Sequence, residues 1–408
     1  MSGDVVVTGL GAVSPLGLDL EQSWTACRDG ACAIKVETIE PGENGPSPFK
    51  AAVARVPGDP VPALEAKLGH KIGASLDLFA TYALVAAAEA IADAGLSRDQ
   101  LGEAGVVFGH GVGGVYTLDH GYERFYGRKM GRLHPMSIPR LMVSAPVSAI
   151  SMEFGIKGPV FAVASACASS GHAVAQAVGL IRGGLAECVV VGGSEAIAVP
   201  GSLAAWDGLR AMTTTACRPF STGRDGMAIG EGAASMILET RAHAERRGAQ
   251  VRAVIAGLGM SSDANHWTQP SREGAMAAMR KACTEAGVLE AEGLLISTHG
   301  TGTPLNDSNE AESINALFGA RAKSHTVVAT KSAHGHLIGA STALQAVLGL
   351  RALEEKLAPP VLNYLGPDPE CDLDLVLGEA RPIEARTLLV NSFAFGGLNA
   401  SLVIKLPN

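Results

Sequence analysis

Apolar and polar positions alternate along the chain in short blocks that predict strands separated by helices. In the first half, strand-like apolar runs cover residues 106–108, 160–164, 188–191 and 235–238. Counterparts in the second half cover residues 294–297, 326–329, 388–391 and 400–404. Helical patterns lie between such runs, at residues 79–94, 173–181 and 338–353. Strands that alternate with helices indicate a layered α/β protein.

One strand pattern occurs near the start of the chain and again past its middle. Residues 5–11 form an apolar run that ends in Gly-Leu-Gly, and residues 254–259 repeat this outline. A chain of 408 residues also exceeds the usual size of one compact domain. We therefore expect two related halves, residues 1–250 and 251–408. Short apolar strands that end in glycine are common, so the repeat alone does not establish a duplication.

Composition narrows the class of protein. Hydrophobic residues make up 47% of the chain and aromatic residues 4%, which predicts a core of small aliphatic side chains around a buried parallel sheet. The seven cysteines are scattered without CxxC spacing, so we expect free thiols and no zinc site. No signal peptide or membrane span is visible, and we expect a cytoplasmic protein. The net charge of −8 and the few aromatics argue against nucleic acid as a partner.

Cys167 is the candidate nucleophile. It lies among small residues, in Ser-Ala-Cys-Ala-Ser-Ser-Gly, at the predicted start of a helix. The partial positive charge of a helix N-terminus predicts a lowered pKa for the Cys167 thiol. The alternative is a buried cysteine that packs as a small hydrophobic residue.

Two histidines follow predicted strands in the second half. His299 opens His-Gly-Thr-Gly-Thr-Pro directly after the run at 294–296, and His336 closes Lys-Ser-Ala-His-Gly-His after the run at 327–329. In open α/β sheets, ligands bind at the carboxyl ends of strands. We therefore expect Cys167, His299 and His336 to share one site, of which the second half supplies both histidines.

These motifs, with Asn-Ser-Phe-Ala-Phe-Gly-Gly-Leu-Asn at residues 391–399, resemble those of the β-ketoacyl-acyl-carrier-protein synthases of the elongating Cys-His-His type. The likeness covers essentially the whole chain. It implies a thiolase-like fold, in which duplicated halves form five α-β-α-β-α layers, and it implies a dimer. It implies no cofactor bound by this chain itself, because phosphopantetheine arrives on the acyl carrier protein.

The resemblance also implies a chemistry. Cys167 would hold the acyl chain, and His299 and His336 would donate hydrogen bonds to the enolate formed when malonyl carrier protein loses carbon dioxide. The backbone N–H groups of Cys167 and Phe395 would stabilise the acyl oxyanion. Lys331 would pair with Glu310 to position the histidine loops; an acid role for Lys331 is the alternative.

Further matching positions concern the substrate. Thr301, Thr303 and Thr268 correspond to residues that hold the pantetheine arm, or else they stabilise turns. Val112 and Trp206, together with Phe395, would line the acyl pocket. The glycine-rich run that contains Val112 lacks the Lys-Ser/Thr of a phosphate-binding P-loop.

Carrier-protein docking is expected at a local basic patch. Four cations fall within nine residues on this acidic chain, and three others extend the set; the predicted docking residues are Arg124, Arg128, Lys129, Arg132, Arg210, Lys67 and Lys71. A basic patch suits an acidic carrier protein. A solvated charged loop is the alternative.

Two positions depart from the elongating pattern. Ala394 stands where the gating loop has glycine, and Leu398 where threonine is usual. These departures favour a polyene or type II polyketide pathway, with primary fatty-acid elongation as the alternative. Either a homodimer or a heterodimer with a chain-length-factor-like subunit is compatible with the sequence. A non-catalytic or decarboxylating partner subunit is the alternative function, and Cys167 argues against the non-catalytic form.

Overall fold

The computed structural model describes residues 4–41, 46–72 and 76–407. The strands in this part of the chain are β1 (Val5–Val13), β2 (Lys35–Ile39), β3 (Phe49–Ala54), β4 (Gly105–Gly109), β5 (Val160–Val163), β6 (Cys188–Glu195), β7 (Ile229–Gly230), β8 (Gly232–Thr240), β9 (Ala253–Ser262), β10 (Leu295–Ser297), β11 (Thr326–Val328), β12 (Leu357–Ala358), β13 (Arg381–Pro382), β14 (Thr387–Ala394) and β15 (Leu398–Lys405).

The α-helices in the same residues are α1 (Leu20–Arg28), α2 (Val61–Leu68), α3 (Leu78–Asp93), α4 (Arg98–Leu101), α5 (Val115–Tyr122), α6 (Ser137–Leu141), α7 (Ala145–Phe154), α8 (Ser169–Arg182), α9 (Pro200–Gly208), α10 (Arg241–Arg246), α11 (Arg272–Glu285), α12 (Pro304–Phe318), α13 (Lys331–His334) and α14 (Ser341–Glu355). The strands and helices predicted from the hydrophobic pattern are confirmed, with shifts of a few residues at their ends.

Two five-stranded units make up the main sheet. The first has the order β1-β8-β6-β4-β5 and the second the order β9-β15-β14-β10-β11. In both, the first three strands are antiparallel neighbours and the last three are parallel neighbours. A short β1–β9 pairing joins the two units. The second unit therefore repeats the order and strand directions of the first.

Helices separate and cover these units. Helices α8 and α14 pack between the two units, and the core around them draws side chains from the strands of both. Helices α3 and α7 cover the outer face of the first unit. Helices α11 and α12 cover the outer face of the second. The predicted five α-β-α-β-α layers are confirmed.

The repeated Gly-Leu-Gly motif has a packing reason. A Cβ atom on Gly9 or Gly11 would overlap backbone oxygens of α3, and one on Gly257 or Gly259 would overlap backbone oxygens of α11. Only glycine lets each strand lie this close to its outer helix. The motif thus marks the same strand-to-helix contact in both units.

The strands of the first unit end at Thr240 and those of the second begin at Ala253. Whether each half is an independent domain, as the division at residue 250 supposes, stays a prediction. All seven cysteines are free thiols. Among the described residues, no helix combines the length and the apolar character needed to cross a lipid bilayer.

Candidate active site

Cys167 lies in a strained turn at the carboxyl end of β5. A short 3₁₀ turn, Ala166–Ala168, connects β5 to α8, so the cysteine sits just before this helix begins. Ala166 has a φ of +50°, which is unfavourable for a residue with a side chain. Hydrogen bonds from Ser392 Oγ (2.8 Å) and Thr342 Oγ1 (3.4 Å) to the Cys167 carbonyl hold the turn. The surrounding structure thereby fixes the direction of the sulfur.

His336 contacts the sulfur directly. Its Nε2 lies 3.1 Å from Cys167 Sγ. Its Nδ1 accepts a hydrogen bond from the backbone N–H of Ile338 (3.2 Å) and lies 2.8 Å from Ser341 Oγ. Because Nδ1 is the acceptor, the proton of the neutral ring is on Nε2. His336 therefore presents an N–H donor to the space beside Cys167.

His299 completes the group. Ligand-type atoms of Cys167, His299 and His336 all lie within 4.8 Å of one another. The two imidazole rings meet edge to face, with 5.3 Å between their centroids. His299 Nδ1 is buried and has no hydrogen-bond partner within the described protein. The structure thus brings together the three residues that the sequence placed in one site.

Lys331 and Glu310 hold His299 rather than each other. Lys331 Nζ donates to the His299 carbonyl (2.5 Å) and to Gln345 Oε1 (2.8 Å). The Glu310 carboxylate accepts the backbone N–H groups of His299 and Gly300, each at 2.8 Å. Lys331 and Glu310 form no direct salt bridge, but the Glu310 charge raises the pKa of Lys331, so the predicted pairing acts through charge and not through contact. Lys331 binds the carbonyl of His299, and Glu310 binds the N–H groups of His299 and Gly300, so both buried side chains fix the backbone that carries His299.

Burial sets the charge state of the site. It raises the pKa of the Cys167 thiol to about 11, against a smaller opposing effect of the Lys331 charge. The prediction of a lowered thiol pKa is wrong, because desolvation outweighs the Lys331 charge and the nearby backbone N–H groups, which act in the lowering direction. Burial, with the nearby Lys331 charge, also holds the pKa values of His299 and His336 well below their ordinary value. The resting site contains a neutral thiol and two neutral imidazoles.

Two backbone N–H groups lie near the sulfur. Those of Phe395 and Cys167 favour the thiolate and so lower the pKa of Cys167 against the larger effect of burial. Phe395 follows β14, and its ring stacks on Trp206 with 6.1 Å between centroids. Paired N–H groups beside a nucleophile can stabilise a developing oxyanion.

A cavity of about 500 Å³ connects the triad to solvent, and Thr268, Thr301 and Thr303 are among its lining residues. Thr301 Oγ1 and Thr303 Oγ1 lie 2.9 Å apart, so they also support their own turn. The Asp307 carboxylate holds that turn through the N–H groups of Thr301 and Gly302. Sequence reasoning missed Asp307; its signal was an acidic residue in the first turn of the helix after the motif.

The predicted acyl-pocket residues do not all lie at the same cavity. Phe395 lines the 500 Å³ cavity, and Trp206 lies behind it in ring contact. Val112 does not line this cavity, and half of its surface is exposed. The structure therefore does not bring Val112 to the triad within one subunit.

The predicted docking residues lie on several elements. Arg124, Arg128, Lys129 and Arg132 are exposed on the segment after α5, and Arg128 pairs with Glu123 at 2.7 Å. Arg124 lines a separate cavity of about 360 Å³. Lys67 and Lys71 are exposed on and after α2. Arg210 is the member of the set that lines the described cavity leading to Cys167.

The triad also has the donor types that zinc prefers, one sulfur and two imidazoles. A zinc site requires the thiolate, whereas burial favours the neutral thiol here. We expect no metal, and that expectation stays a prediction.

The sequence matches two domain models of one protein family. Residues 2–244 match the N-terminal domain of beta-ketoacyl synthases, and residues 252–365 match their C-terminal domain. The chain belongs to the beta-ketoacyl synthase family.

Relatives of this synthase cover its whole length. It is 38% identical over 407 residues to nodulation protein E of Rhizobium sp. (strain N33), across 99% of this chain and 100% of that protein. It is 35% identical over 411 residues to 3-oxoacyl-[acyl-carrier-protein] synthase 2 of Staphylococcus aureus (strain COL), across 98% of each. Its structure resembles the ishigamide ketosynthase/chain length factor with a TM-score of 0.91 and 31% identity over the full length of both chains. The predicted thiolase-like fold is confirmed.

Proposed function

We propose that this synthase joins an acyl chain held on Cys167 to a malonyl unit on an acyl carrier protein, with loss of carbon dioxide. The 3.1 Å approach of His336 Nε2 to Cys167 Sγ, with His299 completing the cluster, is the observation that carries this proposal. The product is a β-ketoacyl carrier protein, and the reaction is a decarboxylative Claisen condensation.

The first half-reaction loads the enzyme. Cys167 sulfur attacks the thioester carbonyl of an acyl carrier protein, a carbon–sulfur bond to Cys167 forms, and the bond to the carrier breaks. The thiol proton leaves with the carrier sulfur. The oxyanion of the tetrahedral intermediate receives hydrogen bonds from the backbone N–H groups of Cys167 and Phe395.

The second half-reaction makes the carbon–carbon bond. Malonyl carrier protein loses carbon dioxide, and the electron pair of the broken bond forms an enolate whose oxygen faces His299 and His336. Neutral imidazoles suit this task because they donate hydrogen bonds without carrying charge. The enolate carbon attacks the acyl-cysteine carbonyl, the carbon–sulfur bond to Cys167 breaks, and the Cys167 thiolate takes a proton from water.

The pantetheine arm occupies the 500 Å³ cavity in this proposal. The hydroxyls of Thr268, Thr301 and Thr303 line it and can hydrogen-bond amides of the arm. No cofactor of this chain's own is needed, since the arm arrives covalently bound to the carrier.

Carrier docking is proposed at the mouth of this cavity. Arg210 lines the mouth, next to the exposed apolar side chains of Trp267 and Leu305, which are 81% and 62% exposed. Lys67, Lys71 and the cations of the segment after α5 would add to this basic surface at the places that the second subunit leaves exposed. An acidic carrier would be attracted to these cations although the whole chain carries a net charge of −8.

A second subunit is proposed on the face formed by β5 and the segment 112–143. Strand β5 is an edge strand whose residues are all half-buried. The segment exposes many large apolar side chains: Val112, Leu118, Tyr122, Phe125, Tyr126, Met130, Leu133, Met136, Ile138, Met142 and Val143. A patch of this extent marks an interface. The second subunit, a copy of this chain or a chain-length-factor-like relative, would also enclose Val112.

Pathway and compartment belong to the proposal as well. Similarity to nodulation protein E and to the ishigamide ketosynthase/chain length factor supports a specialised pathway of polyene or polyketide type, and the comparable similarity to 3-oxoacyl-[acyl-carrier-protein] synthase 2 keeps primary fatty-acid elongation as the alternative. The cytoplasm, expected from the sequence, stays a prediction.

The test is product formation with purified carriers. Enzyme, acyl carrier proteins of different chain length and malonyl carrier protein are combined, and the carrier products are weighed by mass spectrometry. We expect carriers two carbons longer that bear a β-keto group. Carbon dioxide release without any elongated carrier, at every chain length, would favour the decarboxylating partner-subunit alternative.

A further inference from the structure

Glu195 is a fully buried carboxylate that contacts two separate loops of the site. It is the last residue of β6 and is 0% exposed. Its carboxylate accepts the backbone N–H groups of Gly111 (2.6 Å) and Val112 (3.3 Å), on the loop after β4. It also accepts the N–H of Gly339 (3.0 Å), in the turn after His336. Both carboxylate oxygens are used.

The two loops touch where Glu195 binds them. A Cβ atom on Gly339 would overlap the backbone nitrogen of Gly111, and one on Gly111 would lie 2.7 Å from Glu195 Oε2. Glycine at both positions lets the two backbones share one carboxylate. The contact joins the first half of the chain to the loop that carries His336.

The turn after His336 is strained. Ile338 has a φ of +41°, a conformation that a β-branched residue strongly disfavours. In this conformation the Ile338 N–H donates to His336 Nδ1, which keeps the ring proton on Nε2. The strained turn therefore sets the tautomer of His336, and the next residue, Gly339, is held by Glu195.

We propose that Glu195 is a positioning residue, whose carboxylate holds the Ile338–Gly339 turn in its strained conformation so that His336 presents Nε2–H to the reacting thioester. The same carboxylate fixes the Gly111–Val112 segment against that turn. This inference rests on the proposed condensation, in which His336 is a hydrogen-bond donor.

The charge of Glu195 acts in the opposite direction on the nucleophile. Burial raises the pKa of Glu195 to about 7, so the carboxylate is partly ionised near neutral pH. Its ionised form disfavours a thiolate nearby and raises the pKa of Cys167 in addition to the larger effect of burial. If Glu195 acted only through its charge, removing that charge would make Cys167 more reactive and would leave the tautomer and position of His336 unchanged. A positioning role predicts loss of the step that needs His336, without loss of thiol reactivity.

Glu195→Gln tests this difference. A glutamine keeps the size but has one acceptor oxygen and one NH₂ group. In the wild type, Oε2 accepts from Gly111 and Gly339 and Oε1 accepts from Val112, so the NH₂ group must face at least one of these N–H donors and the hold on the loops is weakened. We expect kcat for malonyl carrier decarboxylation to fall at least tenfold with KM changed less than twofold, while alkylation of Cys167 by iodoacetamide is not slowed. In ¹⁵N-histidine NMR spectra, the His336 signals should shift from the Nε2–H tautomer towards a mixture.

The matched control is Glu231→Gln. Glu231 is also buried and accepts the N–H of Ala198 and the hydroxyl of Tyr116, neither of which belongs to the triad or to the two loops that Glu195 contacts. We expect it to leave kcat and the His336 tautomer unchanged. If Glu195→Gln does not fold, Glu195→Asp serves with the same measurements, because the shorter side chain withdraws its oxygens from the loops.

A second variant, Ile338→Gly, tests the strain directly. Glycine adopts positive φ readily, so the turn should no longer depend on Glu195, and Glu195→Gln should cost less than threefold in kcat in the Ile338→Gly background. An equal loss in both backgrounds, or a wild-type tautomer and kcat in folded Glu195→Gln, would overturn the inference. Failure of the wild-type enzyme to decarboxylate malonyl carrier would instead contradict the proposed function.

Discussion

His336 Nε2 lies 3.1 Å from Cys167 Sγ although 169 residues separate the two along the chain. The contact forms because Cys167 follows β5 of the first unit and His336 follows β11 of the second, and both loops turn towards the interface of the units. An imidazole that donates beside a nucleophilic sulfur can serve both the acyl thioester and the incoming enolate. The duplicated fold is thus what creates the site.

Replacement of Cys167 should separate the two half-reactions. Cys167→Ala should reduce condensation to background while the melting temperature stays near that of the wild type, because alanine fits the same small space. Cys167→Gln should retain malonyl decarboxylation, since that step uses the two histidines and not the thiol. Carbon dioxide release and circular dichroism check both expectations. Loss of soluble protein in both variants would indicate a structural thiol.

The histidines should each matter for decarboxylation. His299→Ala and His336→Ala each remove one donor to the enolate oxygen, and loss of such a donor typically costs about 10²- to 10³-fold in rate. The exposed His70 provides a control, and His70→Ala should change the rate less than twofold. Single-turnover decarboxylation of malonyl carrier protein measures the effect. A near-normal rate in either active-site variant would remove that histidine from the proposed role.

Thiol reactivity should follow the raised pKa of Cys167. With a pKa of about 11, the thiolate fraction is small at neutral pH, so the rate of alkylation should rise about tenfold per pH unit between pH 7 and 9. Lys331→Met should slow alkylation most at pH 7 and less towards pH 9, because the Lys331 cation stabilises the thiolate and burial lowers the pKa of Lys331 to about 8. Iodoacetamide kinetics followed by intact mass test this. A rate that is already constant above pH 7 would mean a thiolate at rest.

Ala394 should stiffen the loop that carries Phe395. Ala394 is buried at the end of β14, and replacing an alanine by glycine inside a strand typically destabilises a protein by about 0.5–1 kcal/mol. Ala394→Gly should therefore lower stability by this amount and speed Cys167 acylation, because Phe395 moves more freely. Urea unfolding measures the change in stability, and quenched-flow acylation measures the change in rate. If Ala394→Gly is less stable but is acylated at the wild-type rate, Ala394 does not control the movement of Phe395.

Carrier docking should depend on charge at the cavity mouth. Arg210→Glu should slow acylation by acyl carrier protein several-fold, and the difference should shrink at high salt as the attraction is screened. Arg246→Glu is the control, because Arg246 is exposed on α10 and pairs with Glu187. Equal effects of the two variants would argue against docking at Arg210.

Much of the fold could be predicted because it depends on local patterns. Apolar runs located the strands, and the repeated Gly-Leu-Gly marked strands that touch a helix backbone. The triad could be predicted because each member follows a strand within a distinctive motif. These signals lie within a few consecutive residues.

What the sequence did not show depends on contacts between distant segments. Lys331 and Glu310 make no direct contact because the ammonium instead reaches Gln345 on α14, a helix whose alanines and leucines gave no hint of a polar contact. The pKa of Cys167 was predicted in the wrong direction because burial by both halves cannot be seen from one turn. Glu195 was missed since its donors come from loops 84 and 144 residues away.

Peptide-mapped mass spectrometry of the acylated enzyme tests the central claim most directly. The enzyme is incubated with acyl carrier protein in the absence of malonyl carrier protein, then digested and sequenced by fragmentation. We expect a single acyl group on the peptide that contains Cys167, which disappears when malonyl carrier protein is added. An acyl group on any other residue, or an adduct on Cys167 that malonyl carrier protein does not discharge, would contradict the account.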